Sequence, residues 1–156
     1  MMKFRANVAS SRPPMLKFLL EHGADPNLNL RAEHLKAIEL AALFAGTDVI
    51  DILIEHGAQL HGRQPLQNAA RWGRIDIVEH LLDCEVDIDG IPDNEDIYET
   101  ERIGTALHAA VTAGQKGVVV TLLKQGANKS LKDSEGQTAW EIAREKKSTD
   151  IMRLLE

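Results

Sequence analysis

A single cysteine, Cys84, in a chain of 156 residues excludes an intrachain disulfide and a multi-thiolate metal site, and it favours a reducing compartment. No apolar run approaches the ~20 residues that a membrane-spanning helix needs. The start, MMKFRANVASSR, is polar and lacks the apolar core of a signal peptide. An intracellular protein, cytoplasmic or nuclear and without a membrane partner, is therefore expected. Basic residues are also in deficit, with 18 Lys and Arg against 24 Asp and Glu and a formal charge of −6. Nucleic-acid binding draws most of its affinity from clustered Lys and Arg, so nucleic acid is not the expected partner. What is present is an apolar share of 44%, enough for one ordinary globular domain over residues 1–156.

Internal repetition organises that domain. LLEHGAD at Leu19, LIEHGAQ at Leu53 and LLKQGAN at Leu122 share one pattern, and LLDCEVD at Leu81 is a degraded copy. Upstream of the later three lie matching starts: KAIELAA from Lys36, QPLQNAA from Gln64 and TALHAAV from Thr105, with a further TAWEIAR from Thr138. Repetition at this period marks a stacked-repeat architecture.

Both halves of the unit have helical spacing. Pro65 suits the first turn of a helix, Leu66, Ala69 and Ala70 fall on one face, and Gly73 ends the run. A second helix follows, with Ile75, Val78, Leu81 and Leu82 expected on its apolar face. Such segments are shorter than the ~12–15 residues at which an isolated helix becomes marginal, so they must be stabilised by neighbours. Gly23, Gly57 and Gly126 stand where a left-handed helix cap is expected. Glu85 occupies that place in one unit, where a left-handed glutamate would cost ~1–2 kcal/mol.

The pattern resembles the ankyrin repeat family, whose unit of about 33 residues carries a T-P-L-H-x-A-A start and an L-L-x-x-G-A end. The resemblance implies an all-α ankyrin-repeat solenoid of about five helix-turn-helix units with hairpin-like fingers, bounded near residues 2–30, 31–60, 61–89, 90–130 and 131–156. It also implies that Thr105 caps its helix while His108 bonds back to that turn and steadies the next loop. A catalytic His108 would require a converging nucleophile or carboxylate, and none stands at a recognisable spacing. His22 and His56 share a place near the ends of second helices; as a metal pair they lack a third ligand, and solvated or loop-bonded roles are expected. Trp140 takes a leucine position and is expected to face the core. The charged AREKKSTD suits a terminal cap, whereas the first unit begins without a finger and is compatible with a longer parent chain.

Starts at Lys36, Gln64, Thr105 and Thr138 are spaced by 28, 41 and 33 residues, so length varies in the fingers. AQLHGRQ is a short finger, and DIDGIPDNEDIYETERIG is a long acidic one. The long finger suits a solvated loop, or a contact loop for a basic partner segment with Ile97 and Tyr98 as anchors. A calcium loop is disfavoured because the glycine of DIDG comes two residues early.

By family resemblance, partners lie along a concave groove touching finger tips and the turn after each two-alanine element. Here those turns contain Ala9 and Ser10, Leu43 and Phe44, Arg71 and Trp72, Thr112 and Ala113, and Glu145 and Lys146. Trp and Arg dominate interface hot spots, so Leu43, Phe44, Arg71, Trp72 and Thr112 are the candidate contacts together with Ile97 and Tyr98. Phe44 and Trp72 could instead pack on each other or beneath Ile91. The expected function is non-enzymatic protein binding by a monomer, with no cofactor, catalytic residue or metal ligand. A structural or self-associating role, or a regulatory part of a longer multidomain protein, are the alternatives.

Overall fold

A computed structural model describes residues 13–27, 37–60, 64–92 and 103–156. Among them lie nine helices: α1 Pro13–Glu21, α2 Ala37–Phe44, α3 Thr47–Glu55, α4 Pro65–Arg71, α5 Ile75–Asp83, α6 Ala106–Thr112, α7 Lys116–Lys124, α8 Ala139–Glu145 and α9 Thr149–Leu155. The architecture is an all-α repeat solenoid; the described residues contain isolated bridging between Lys132 and Thr138 but no strand.

The chain divides into two compact parts, residues 1–65 and 66–156. In the first, α3 packs against both α1 and α2. In the second, α6 packs on α8, and α5, α7 and α9 succeed one another in a separate row, so first helices and second helices form two layers. The two-alanine elements explain the inner layer: Ala69, Ala70 and Ala110 are fully buried and Ala109 nearly so, and small side chains let helix axes approach closely. Ile77, Val78 and Leu81 of α5 and Val118, Val119 and Leu122 of α7 are buried behind them. The apolar face of α5 therefore differs from the sequence expectation. Ile77 takes the inward place, Leu82 is half-buried, and Ile75 stands 38% exposed at the first turn, its Cδ1 lying over Gly117.

Every described helix except α2 and α9 ends in the same closure, in which two successive backbone N–H groups return to carbonyls of the last turn. After α7, Gly126 N–H donates to Leu123 O at 3.2 Å and Ala127 N–H to Leu122 O at 3.0 Å. This motif needs one residue with positive φ. Gly126 supplies it at +92° with open space around its missing side chain, whereas after α5 Glu85 adopts φ 61° and makes the same bonds. The glutamate is held left-handed at its steric cost; the turn is not remodelled. Glu85→Gly is expected to raise stability by roughly 0.5 kcal/mol, the relief of about 1–2 kcal/mol being partly offset by the greater chain entropy of glycine. Gly126→Ala should lower it by about 1 kcal/mol. Paired urea titrations check both signs, and a destabilised Glu85→Gly chain would show that the glutamate side chain matters more than its backbone strain.

Neighbouring loops are joined by a recurring bond. Asn27 Nδ2 donates to Gly57 O at 2.8 Å while its Oδ1 accepts from Gln59 N at 2.8 Å, and Asp89 Oδ1 accepts from the equivalent Asn128 N at 2.9 Å. Asp87 Oδ1 accepts from Asp89 N at 3.0 Å, so the first two carboxylates of the acidic finger secure loops. Residues 93–102 of that finger and 61–63 of the short one lie outside the described residues. The finger before α8 is a tight hairpin. The carboxylate of buried Asp133 accepts from Glu135 N and Gln137 N at 3.0 and 2.9 Å, and Ser134 N donates to Ile103 O at 2.7 Å.

Three carboxyls are held below their usual range by partners in these turns: Asp76 by hydrogen bonding to Arg74, Asp150 by hydrogen bonding to Lys116, and Glu141 by the Thr138 backbone N–H. A depressed folded-state value means stability present above the ordinary carboxylate range and lost as the pH falls below about 4. Melting temperatures measured from pH 6 to pH 3 should fall. Asp150→Asn, which gives up this linkage, should flatten part of that fall in low salt.

Candidate protein-binding surface

His108 is 3% exposed, and both ring nitrogens face hydrogen-bonding groups. Thr105 N–H donates to Nδ1 at 3.2 Å and the threonine Oγ1 lies 2.9 Å from the same nitrogen. On the other side Nε2–H points at the carbonyls of Leu131 and Gln137, 3.1 and 3.2 Å away. A neutral imidazole protonated at Nε2 meets all of these groups. The ring thus closes the start of α6 and ties it to the next finger. Gln67 occupies the equivalent place on α4 and donates through Nε2 to Gly90 O at 2.8 Å; Glu39 on α2 accepts from Gln64 N at 3.2 Å. Three different side chains do one job because each can reach a backbone group of the following loop.

His22 and His56 also turn inward to their own helices. Their Nδ1 atoms lie 2.7 and 2.8 Å from the carbonyls of Phe18 and Ile52, one turn earlier. They bond the last turn of α1 and α3, and His22 stacks on Phe18 with ring centroids 4.0 Å apart.

The turns that follow the two-alanine elements point to solvent. Trp72 is 62% exposed and Phe44 61%. Leu43, Arg71 and Thr112 are half-buried, while Ala113, Glu145 and Lys146 are exposed. Ile91 is itself 50% exposed, so neither aromatic is a core residue. Ala9, Ser10, Ile97 and Tyr98 lie outside the described residues.

Trp72 stands on a turn fixed from two directions. Its own N–H donates to Asn68 O at 3.1 Å, and Gly73 at φ 74° sends the chain back, with Arg74 N–H donating to Ala69 O at 2.9 Å. From the next repeat, Gln115 Nε2 donates to Arg71 O at 3.1 Å, and a Cβ on Gly73 would meet the Gln115 side-chain oxygen at 2.6 Å. A side chain there would take on left-handed strain, as Glu85 does after α5, and would push the Gln115 amide aside. Phe44 has a different support, because Ala45 replaces the glycine and α3 starts from an extended Gly46.

Gln115 and Ile75 were missed in the sequence as parts of this surface, since the motif marks only the residues after the alanines. The glycines opposite them, Gly73 and Gly117, were the available signal. Trp140 departs from its core expectation. It is half-buried, and the Arg144 guanidinium one turn on lies 5.2 Å from the ring centroid. An indole exceeds the slot that Leu66 and Leu107 fill at 1% exposure, and the cation covers its remaining face.

No helix among the described residues is long and apolar enough to cross a membrane. Known proteins share the repeat pattern. The family description Ankyrin repeats (3 copies) matches residues 6–91, and Ankyrin repeat matches residues 104–134. B-cell lymphoma 3 protein of Homo sapiens is 29% identical over 150 residues, covering 90% of this chain and 31% of that protein. The homolog from Mus musculus is 28% identical with 90% and 32% covered. Neurogenic locus notch homolog protein 1 of Danio rerio is 31% identical over 136 residues, 82% of this chain and 5% of its own length. The chain thus spans about a third or less of these relatives. Helix pairs closed by left-handed turns, position-four side chains tied to the following loop, and the two family matches together establish that this chain belongs to the ankyrin repeat family.

Proposed function

We propose that residues 1–156 form one non-enzymatic protein-binding domain that presents its inter-helix turns to a protein partner. The observation that carries this is Trp72, a large aromatic 62% exposed on a turn locked by Gly73 and Gln115. A preformed turn loses little freedom on binding, so its apolar area is not offset by ordering. Arg71 and Thr112 flank it in the same part of the chain, and Leu43 and Phe44 offer a second contact in the other part. His108, the one buried histidine among the described residues, is engaged in structural bonds, which supports a binding rather than a catalytic role.

The acidic finger, with Ile97 and Tyr98, would meet a basic segment of the same partner. We take the domain to act inside cells as a monomer. A second possibility has one observation in its favour: the curated relatives are about three times longer than the matched stretch, as a regulatory or targeting portion of a multidomain protein would require.

The test is affinity capture with the purified chain, followed by calorimetric titration of the recovered partner. Trp72→Ala should weaken binding while the fold is retained. If Trp72→Ala and Phe44→Ala both leave the affinity unchanged, the turns are not the contact surface.

A further inference from the structure

We propose that the link between Asp89 and Gly90 is a modification site, kept as aspartate while the second part is folded and converted to isoaspartate when its loops open. It is the one Asp-Gly pair in the sequence, which contains no Asn-Gly pair. Glycine leaves its own amide nitrogen unshielded, because it has no side chain. That nitrogen can therefore bond to Asp89 Cγ: the carboxyl hydroxyl departs with the amide proton as water, and a five-membered succinimide forms. Water then adds to either ring carbonyl. When it breaks the bond between the nitrogen and the Asp89 backbone carbonyl carbon, the chain is left running through Cγ. One water is lost and one regained, and no oxidant or reductant takes part.

The folded chain blocks the first of these bonds. Gly90 N–H donates to Asp87 O at 3.1 Å, and Gly90 O accepts from Gln67 Nε2 at 2.8 Å. Asp89 is held as firmly, its N–H donating to Asp87 Oδ1 at 3.0 Å and its own Oδ1 accepting from Asn128 N–H at 2.9 Å. Both residues are half-buried. Attack on Cγ requires the carboxyl group to swing over the Gly90 nitrogen, which breaks the bond to Asn128. It also requires that nitrogen to give up its proton, which breaks the bond to Asp87 O. These bonds join α4, the start of the acidic finger and the loop after α7, so the pair reacts only in an opening that separates them. Isoaspartate adds a methylene to the backbone and moves the carboxylate, and the tie to Asn128 is lost. The modification thus records that the loops have opened.

Incubating the full chain at neutral pH, folded or in urea, tests this, with isoaspartate located by peptide mapping and counted by enzymatic carboxyl methylation. Formation at Asp89 should be at least about tenfold slower in the folded chain. Asp89→Glu should abolish the signal at this position in urea, because glutamate would have to close a six-membered ring. Gln67→Ala, which removes the bond to Gly90 O, should raise the folded rate several-fold and leave the rate in urea unchanged. Equal rates in the folded and unfolded chain would overturn the proposal, as would a folded rate indifferent to Gln67→Ala or the absence of isoaspartate at Asp89 in urea.

Discussion

His108→Ala should lower the stability of the second part by about 3 kcal/mol, the largest expected loss from removing one polar side chain here. The substitution strips a buried site of a ring that meets Thr105 N–H on one side and the Leu131 and Gln137 carbonyls on the other. Gln137 O keeps its bond from Asp133 N–H at 2.9 Å, but Thr105 N–H and the Leu131 carbonyl lose the ring, and an unsatisfied buried group costs ~1–3 kcal/mol. A cavity adds to this. Gly104 lies against the ring, since a Cβ placed there would come within 2.9 Å of His108 Cβ and Cγ; some collapse at this contact keeps the total near 3 rather than 5 kcal/mol. His108→Gln should cost only about 1 kcal/mol, because Gln67 already bonds the next loop from the equivalent place on α4. Urea unfolding of the three chains checks the order. An alanine variant within 1 kcal/mol of the original would show that water replaces the ring and that the tie to the finger is dispensable.

Trp72→Ala should separate binding from folding. An exposed indole contributes little to the folded state, so stability should change by less than about 0.5 kcal/mol, whereas loss of a central aromatic anchor typically weakens a complex by ~2 kcal/mol, about thirtyfold. Trp140 provides the opposite control. Half-buried and covered by Arg144, it should lose about 1–2 kcal/mol of stability as alanine and leave partner affinity unaltered. Calorimetry of the partner complex and thermal melts of both variants make the comparison. A Trp72→Ala chain that melts well below the original would place the indole among the packing residues.

How far the sequence led varied with the kind of interaction. Pro65 at a helix start and Gly57 and Gly126 past helix ends are local requirements, and the helices begin and end there. The paired role of Thr105 and His108 was also legible, through the resemblance to the repeat motif that carries both residues. Burial was less legible. Ile75 and Ile77 are equally apolar and two residues apart, and which one turns inward depends on α7, where Gly117 leaves room for the Ile75 side chain at the surface. Trp140 could not be placed from its motif position alone, since the space left by neighbours decides whether an indole enters.

By itself the sequence determined the repeat and the helix pairs, because each depends on contacts within one turn or on a motif that recurs in register. Tertiary structure decided the rest. It made Glu85 hold a glycine conformation and placed Gln115 against the Arg71 turn. Gln115 and Arg71 lie far apart along the chain, and only the stacking of α5 and α7 brings their turns side by side. Adjacency of turns is a property of that stack, and no spacing within one repeat reveals it.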